Sequence, residues 1–152
     1  MSGINYISNM SEIEKSIAIG YFAGFYNASS VDESQKIVDE IVDENFIDHS
    51  PVFGSEPNKQ GFKKTIGIVQ TAFSQDYKVE KLLQDGQIFV AIWSADVTHN
   101  GTFLGFLPPT GKSFKITGIT IYEIVNNKIT QHWEHFDQVG MMTELGLIPE
   151  RK

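Results

Sequence analysis

The stretch His132-Trp-Glu-His-Phe-Asp137 places two imidazoles, two carboxylates and two aromatic rings in six consecutive residues. Those types invite either metal ligation or proton transfer by a carboxylate held against apolar walls. The β-forming residues around them read as a strand, in which successive side chains face opposite ways. Alternation then separates His135 and Asp137 from His132 and Glu134, so a metal centre is not expected. The helical zinc pattern of two His one turn apart with an intervening Glu is also absent. With no cysteine in the chain there is no thiolate nucleophile, thiolate ligand or disulfide either. Proton transfer is the other chemistry these residue types could do. Removing a proton next to a carbonyl needs a base near neutral pKa, and burial in an apolar pocket moves a carboxylate toward that range.

The turn before this strand decides which side chains share a pocket. If Asn126-Asn127 is a two-residue turn, Val125 pairs with Lys128 and the register of the whole hairpin follows. One face then carries Phe114, Ile116, Gly118, Thr120, Tyr122 and Ile124 with Ile129, Gln131, Trp133, His135 and Asp137. The other carries Ile119, Ile121, His132, Glu134 and Phe136. The first face joins aromatic walls to a few polar groups, as a small-molecule pocket requires, and is the expected binding side. Asp137 stands immediately before a short helical segment, so capping that helix is the competing assignment for its carboxylate. His49 and His99 fall at the ends of extended segments, where a histidine is either structural or aimed into a site.

The elements that must position these groups follow from period and punctuation. Ser11 and Glu14 have capping-box spacing, and Ile13, Ile17, Tyr21 and Phe25 recur at helical intervals, predicting a helix over 11–27 with Tyr26 near its end. Ser30 and Glu33 repeat the pattern ahead of a second helix over 31–44, followed by an extended stretch from Asn45 to Pro51. Asn58 caps a third helix whose stripe is Phe62, Ile66, Val69 and Phe73. Strands are expected over Tyr77–Gln84, over Ile88–His99 with Trp93 inside it, over Ser113–Val125 and over Lys128–Phe136. A last helix, Gln138–Leu145, stops at Gly146. Helices first and an antiparallel meander afterwards predict an α+β fold with helices packed on one face of the sheet. Gly118 in the long strand marks a bend by which the sheet curls around a cavity.

Composition sets the bounds. The chain has 152 residues, 41% hydrophobic and 12% aromatic, enough for one domain with a real core, expected over 11–149 after a flexible tail of residues 1–10. A net charge of −7 without a Lys or Arg cluster excludes a phosphate-neutralising surface, so no nucleic-acid partner is expected. No basic n-region precedes an apolar stretch and no window approaches the ~20 apolar residues needed to cross a bilayer, so a cytoplasmic protein without membrane contact is expected.

Four spaced blocks carry a resemblance. Thr98-His-Asn-Gly-Thr-Phe-Leu-Gly105, Pro109-Thr-Gly-Lys112, Asn127-Lys-Ile-Thr-Gln-His-Trp133 with Asp137, and Gly140-Met-Met-Thr-Glu-Leu-Gly146 resemble the SnoaL-like polyketide cyclases, as does the earlier Asp48-His-Ser-Pro51. The resemblance implies the nuclear transport factor 2-like cone, a cystatin-like α+β barrel: a strongly curved antiparallel or mixed sheet wrapped over three N-terminal helices around a pocket, usually as a homodimer. It implies ring closure by intramolecular aldol condensation, without metal or organic cofactor, on a small hydrophobic carbonyl substrate. The carboxylate matching the family's acid/base group is Asp137, in Trp-x-x-x-Asp, with His135, His99 or Tyr122 as donors to the enolate oxygen. Tyr26, His49, Trp93, Tyr122, Gln131 and Trp133 are the expected substrate-binding residues. Gln131 stands where an acidic residue is often found. The competing class is a non-catalytic module that captures a hydrophobic metabolite in the same cavity. An epoxide hydrolase, which needs an arginine between two carboxylates, is set aside because the one arginine is Arg151.

Overall fold

The computed structural model describes residues 11–149; the tail expected over residues 1–10 lies outside them. Ser11 begins helix α1 (Glu12–Ala23) by accepting the Glu14 N–H at 3.0 Å. Ser30 begins α2 (Val31–Ile41) by accepting the Glu33 N–H at 3.1 Å, and the Glu33 carboxylate accepts the N–H and hydroxyl of Ser29. Both are the caps read from the Ser-x-x-Glu spacing. Asn58 caps α3 (Lys59–Ala72) through the Gly61 N–H at 2.9 Å.

Helix α1 ends at Ala23, short of the expected residue 27, and two further boundaries differ because a strand takes over early. Helix α2 passes directly into β1 (Val42–Asp48), and α3 into β2 (Phe73–Asp85). Phe73, expected on a helical stripe, instead pairs with His99 at the head of a strand pair. Tertiary pairing overrides local helical periodicity there.

Strands β3 (Ile88–His99), β4 (Ser113–Val125) and β5 (Lys128–Phe136) complete a five-stranded sheet of order β1-β5-β4-β3-β2. All neighbours are antiparallel except β1, which lies parallel to β5 at the edge. The β4–β5 turn is the expected two-residue one: Asn126 and Asn127 both adopt positive φ, 50° and 62°, which suits Asn better than most residues. The sheet curls around α1 and α3, and Tyr21, Phe22 and Phe25 of α1 and Phe62 and Ile66 of α3 meet Phe89, Tyr122 and Ile129 of its inner face in one buried core. Lys59 ties the start of α3 to β1, its buried ammonium donating to the Val42 carbonyl at 2.9 Å and to Glu44 at 2.8 Å. The result is the α+β cone, with a mixed sheet. A last helix, α4 (Gln138–Glu144), follows β5 and ends at Gly146, whose φ of 77° and backbone bond to Thr143 close the terminus.

Candidate active site

A single β-bulge decides which residues meet inside the cone. Val125 pairs with Lys128 and Ile124 with Ile129, as the turn requires, but Glu123 then pairs with Gln131. Thr130 is the extra residue, and its hydroxyl donates to the Glu123 carboxylate at 2.6 Å. Beyond it every side chain of β5 changes face. His132, Glu134 and Phe136 turn inward beside their partners Tyr122, Thr120 and Gly118, while Gln131, Trp133 and His135 turn outward beside Glu123, Ile121 and Ile119.

The inner face leaves a narrow cavity of about 40 Å³, bordered by Tyr26, Gln75, Tyr77, Trp93, Glu134 and Phe136 among others. That is room for a few small atoms, since one water needs roughly 10–15 Å³ by the same measure. A second lobe of about 20 Å³ shares Tyr26, Glu134 and Phe136 and reaches Asp48, Ser50 and His132. The Trp93 indole is fixed by its N–H, which donates to Thr120 Oγ1 at 2.9 Å, and it lies over Gly118 so closely that a β-carbon there would come within 2.4 Å of Trp93 Cζ2. Gly118 therefore serves close approach.

Glu134 presents its carboxyl to this space. Burial, and then the nearby charge of Asp48, push its pKa up to about 8. Tyr26 and Tyr77 stack with centroids 4.5 Å apart and planes 17° from parallel. Both phenols border the cavity with Glu134; burial raises them well above their ordinary range, and the Glu134 charge adds to the effect on each. They stay protonated donors at any physiological pH. Gln75 donates its amide N–H to the Tyr26 carbonyl at 2.7 Å, and its Oε1 is buried with no hydrogen-bond partner among the described residues.

Behind Glu134 lies a second polar chain. His132 Nε2 meets Asp48 Oδ1 at 2.8 Å, and its Nδ1 meets the Tyr21 hydroxyl. Asp48 only accepts when ionised, so the network assigns the proton to Nε2 and makes Nδ1 the acceptor for Tyr21. Phe46 and Phe62 pack edge-on against the imidazole, and burial pushes its pKa down to about 3, so it stays neutral. Asp48 is buried too, and burial raises its pKa, opposed by the Ser50 N–H at 2.9 Å and by His49.

The SnoaL-like polyketide cyclase family model matches residues 21–145, which includes every one of these groups. The chain belongs to the SnoaL-like polyketide cyclase family. A provisionally named polyketide cyclase from Bacillus cereus has the same fold at 24% identity, with 93% of this chain and 89% of that one covered and a TM-score of 0.76. Another from Acidithiobacillus ferrooxidans is 25% identical over 92% of this chain and 98% of that one, at a TM-score of 0.73. A Catenulispora acidiphila protein with a ketosteroid isomerase-like fold aligns over 92% of this chain and 96% of that one at 10% identity and a TM-score of 0.64. No curated protein matches the chain. Membership points to a cyclase-like enzymatic role.

Within this SnoaL-like chain, two of the expected site residues reach the cavity, Tyr26 and Trp93. The others sit elsewhere. Asp137 is exposed and caps α4, accepting the Gly140 N–H at 2.9 Å, so the geometry is that of the competing assignment. His135 is exposed on the outer face. Trp133 stacks there on His49, with centroids 4.4 Å apart and planes 3° from parallel, and Gln131 hydrogen bonds His49 at 2.8 Å. The bulge accounts for those on β5, since it reverses the strand's parity after Ile129; His49 lies just past β1 and stacks on one of them. Tyr122 does face inward but is core, stacked on Tyr21 and donating to the Ala18 carbonyl at 2.9 Å. His99 is wholly buried and fastens the 100–112 loop, its Nδ1 accepting the Thr110 N–H at 3.1 Å.

Sequence reasoning missed Asp48, Gln75, Tyr77, His132 and Glu134. One signal was available. Ile129 and Phe136 are both apolar but an odd number of residues apart, so a regular strand cannot turn both inward.

Proposed function

We propose that the protein is an acid/base enzyme that enolises a small hydrophobic carbonyl compound and closes a ring by intramolecular aldol addition, with Glu134 and Asp48 as its two working carboxyls. The observation that carries this is two carboxyl groups in unequal surroundings bordering one buried space, the arrangement that separates acid from base. Asp48 holds two donors, the His132 Nε2–H and the Ser50 N–H, and so is the one that ionises first. Glu134, with its pKa near 8, keeps its proton at neutral pH.

In the proposed step the substrate oxygen accepts hydrogen bonds from the Glu134 carboxyl and a Tyr26 or Tyr77 hydroxyl. Asp48 removes the proton from the adjacent carbon; the C–H electron pair becomes the enolate, whose charge those donors stabilise. The enolate carbon then attacks a second carbonyl of the same molecule. One C–C bond forms, and the new alkoxide takes back the proton held by Asp48. His132 is a positioning residue: neutral and held by Tyr21, it orients the base.

Solvent deuterium exchange tests the reading. Acetylacetone in D₂O should incorporate deuterium faster with wild-type protein than with Asp48→Asn or Glu134→Ala, by about 10²-fold or more. Equal rates for wild type and both variants would exclude the acid/base roles. The alternative is a non-catalytic binding module, favoured by the unpartnered Gln75 Oε1, which suits a ligand hydroxyl or N–H donor. It predicts binding with no exchange above the buffer rate.

A further inference from the structure

Phe53 borders two spaces at once. On one side is the cavity of about 40 Å³ with Glu134, and on the other an open groove of about 550 Å³ between α3 and the loop at 102–105. The groove is bordered by Val31, Lys64, Gly67, Ile68, Thr71 and Leu104, and nothing lies within 4 Å of where a Gly67 β-carbon would be. The inner chamber is too small for a whole substrate, whereas the groove has space for the body of a larger molecule. Helix α3 divides the two, turning Thr65 and Val69 to the cavity and Lys64, Gly67, Ile68 and Thr71 to the groove, and Phe53 is the residue that borders both.

The backbone under that ring is unusual. Phe53 has φ of 56° and is followed by Gly54 at 71°, so a bulky residue occupies the left-handed region, a conformation that persists only where surroundings hold it. Its ring is held edge-on by Phe103, with centroids 5.4 Å apart and planes at 89°. Across the groove, Leu104 and Gly105 also adopt positive φ, 55° and 75°. The Phe53 ring also packs against the hydrophobic core, so a ligand that displaces it must replace those contacts with its own.

We propose that Phe53 is the gate and size selector of the site, admitting the carbonyl end of an extended apolar substrate to the inner cavity while its body stays in the groove against Ile68 and Leu104. The identity of the admitted end as a carbonyl rests on the acid/base reading; the gate itself does not. The remaining groove wall is Val31, Gly67, Thr71 and one charged side chain, Lys64, a lining that fits an apolar body and offers a cation to any anionic substituent on it.

The probe is prodan, a naphthalene bearing a propionyl ketone, whose emission shifts to the blue on leaving water. In stopped-flow mixing, Phe53→Ala should raise the association rate about tenfold over wild type, because the ring no longer has to move. Gly67→Trp, which fills the groove, should weaken prodan binding about tenfold. Phe53→Leu and Gly67→Gln serve as milder versions if either variant fails to fold. Unchanged rate with Phe53→Ala, unchanged affinity with Gly67→Trp, or no prodan binding to wild type would each overturn the proposal. Because the readout is binding, absence of deuterium exchange would refute the acid/base reading and leave this measurement intact.

Discussion

Glu134 and Asp48 border one buried lobe, yet Asp48 is served by the imidazole N–H of His132 at 2.8 Å and the backbone N–H of Ser50 at 2.9 Å, while Glu134 faces apolar walls and the Asp48 charge. Donors favour the ionised form and burial beside a like charge disfavours it, so the single proton of the pair sits on Glu134.

A pH–rate profile should therefore be bell-shaped, with the alkaline limb near pH 8, where Glu134 ionises and its donor is lost. Glu134→Gln, which keeps an N–H donor but cannot titrate, should remove that limb while lowering the rate. A limb that survives Glu134→Gln belongs to another group.

Stability should respond to the same group with a defined sign. The folded protein holds the Glu134 proton up to pH about 8, against an ordinary value of 4.5, so the native state binds more protons than the unfolded chain between those limits. The favourable share is complete below pH 4.5 and is lost as pH rises to 8, at up to about 1.4 kcal/mol per pH unit. Urea titrations at several pH values should show this decline in wild type and a flatter line in Glu134→Gln.

His132 carries the opposite dependence, its pKa falling from 6.5 to about 3 on burial, so its contribution is lost as pH falls through that window. His132→Phe should flatten this acid limb. It should also cost ~2–4 kcal/mol at neutral pH, because the buried Tyr21 hydroxyl and Asp48 carboxylate lose their partner. Chemical denaturation measures both.

Gly118→Ala should cost ~1–3 kcal/mol, since the new methyl would meet Trp93 Cζ2 at 2.4 Å and the His135 carbonyl at 2.9 Å, one of them backbone. The indole must shift into the cavity, so activity falls too. Intrinsic tryptophan fluorescence together with exchange rate is the check; unchanged emission would contradict the close packing.

Asp137→Ala should lower stability by ~1 kcal/mol through loss of the α4 cap while leaving deuterium exchange intact. Loss of exchange at unchanged stability would return the acid/base role to Asp137 and remove it from Glu134 and Asp48.

Local signals in the chain determined most of the fold. The Ser11, Ser30 and Asn58 caps, the strand order from β2 to β5, the Asn126-Asn127 turn and the inward face of β4 were all legible because each depends on a few neighbouring residues. Of the residues expected to bind substrate, Tyr26 and Trp93 are the two that border the cavity. The identity of the carboxyl in the cavity was decided by tertiary structure alone. One extra residue at Thr130, accommodated because Ile129 and Phe136 both gain by facing the core, exchanged the faces of β5, bringing His132 and Glu134 in and leaving Trp133 and His135 out. A side-chain period of two means that such a slip costs little locally and inverts everything after it, and only the packed sheet shows on which residue it falls.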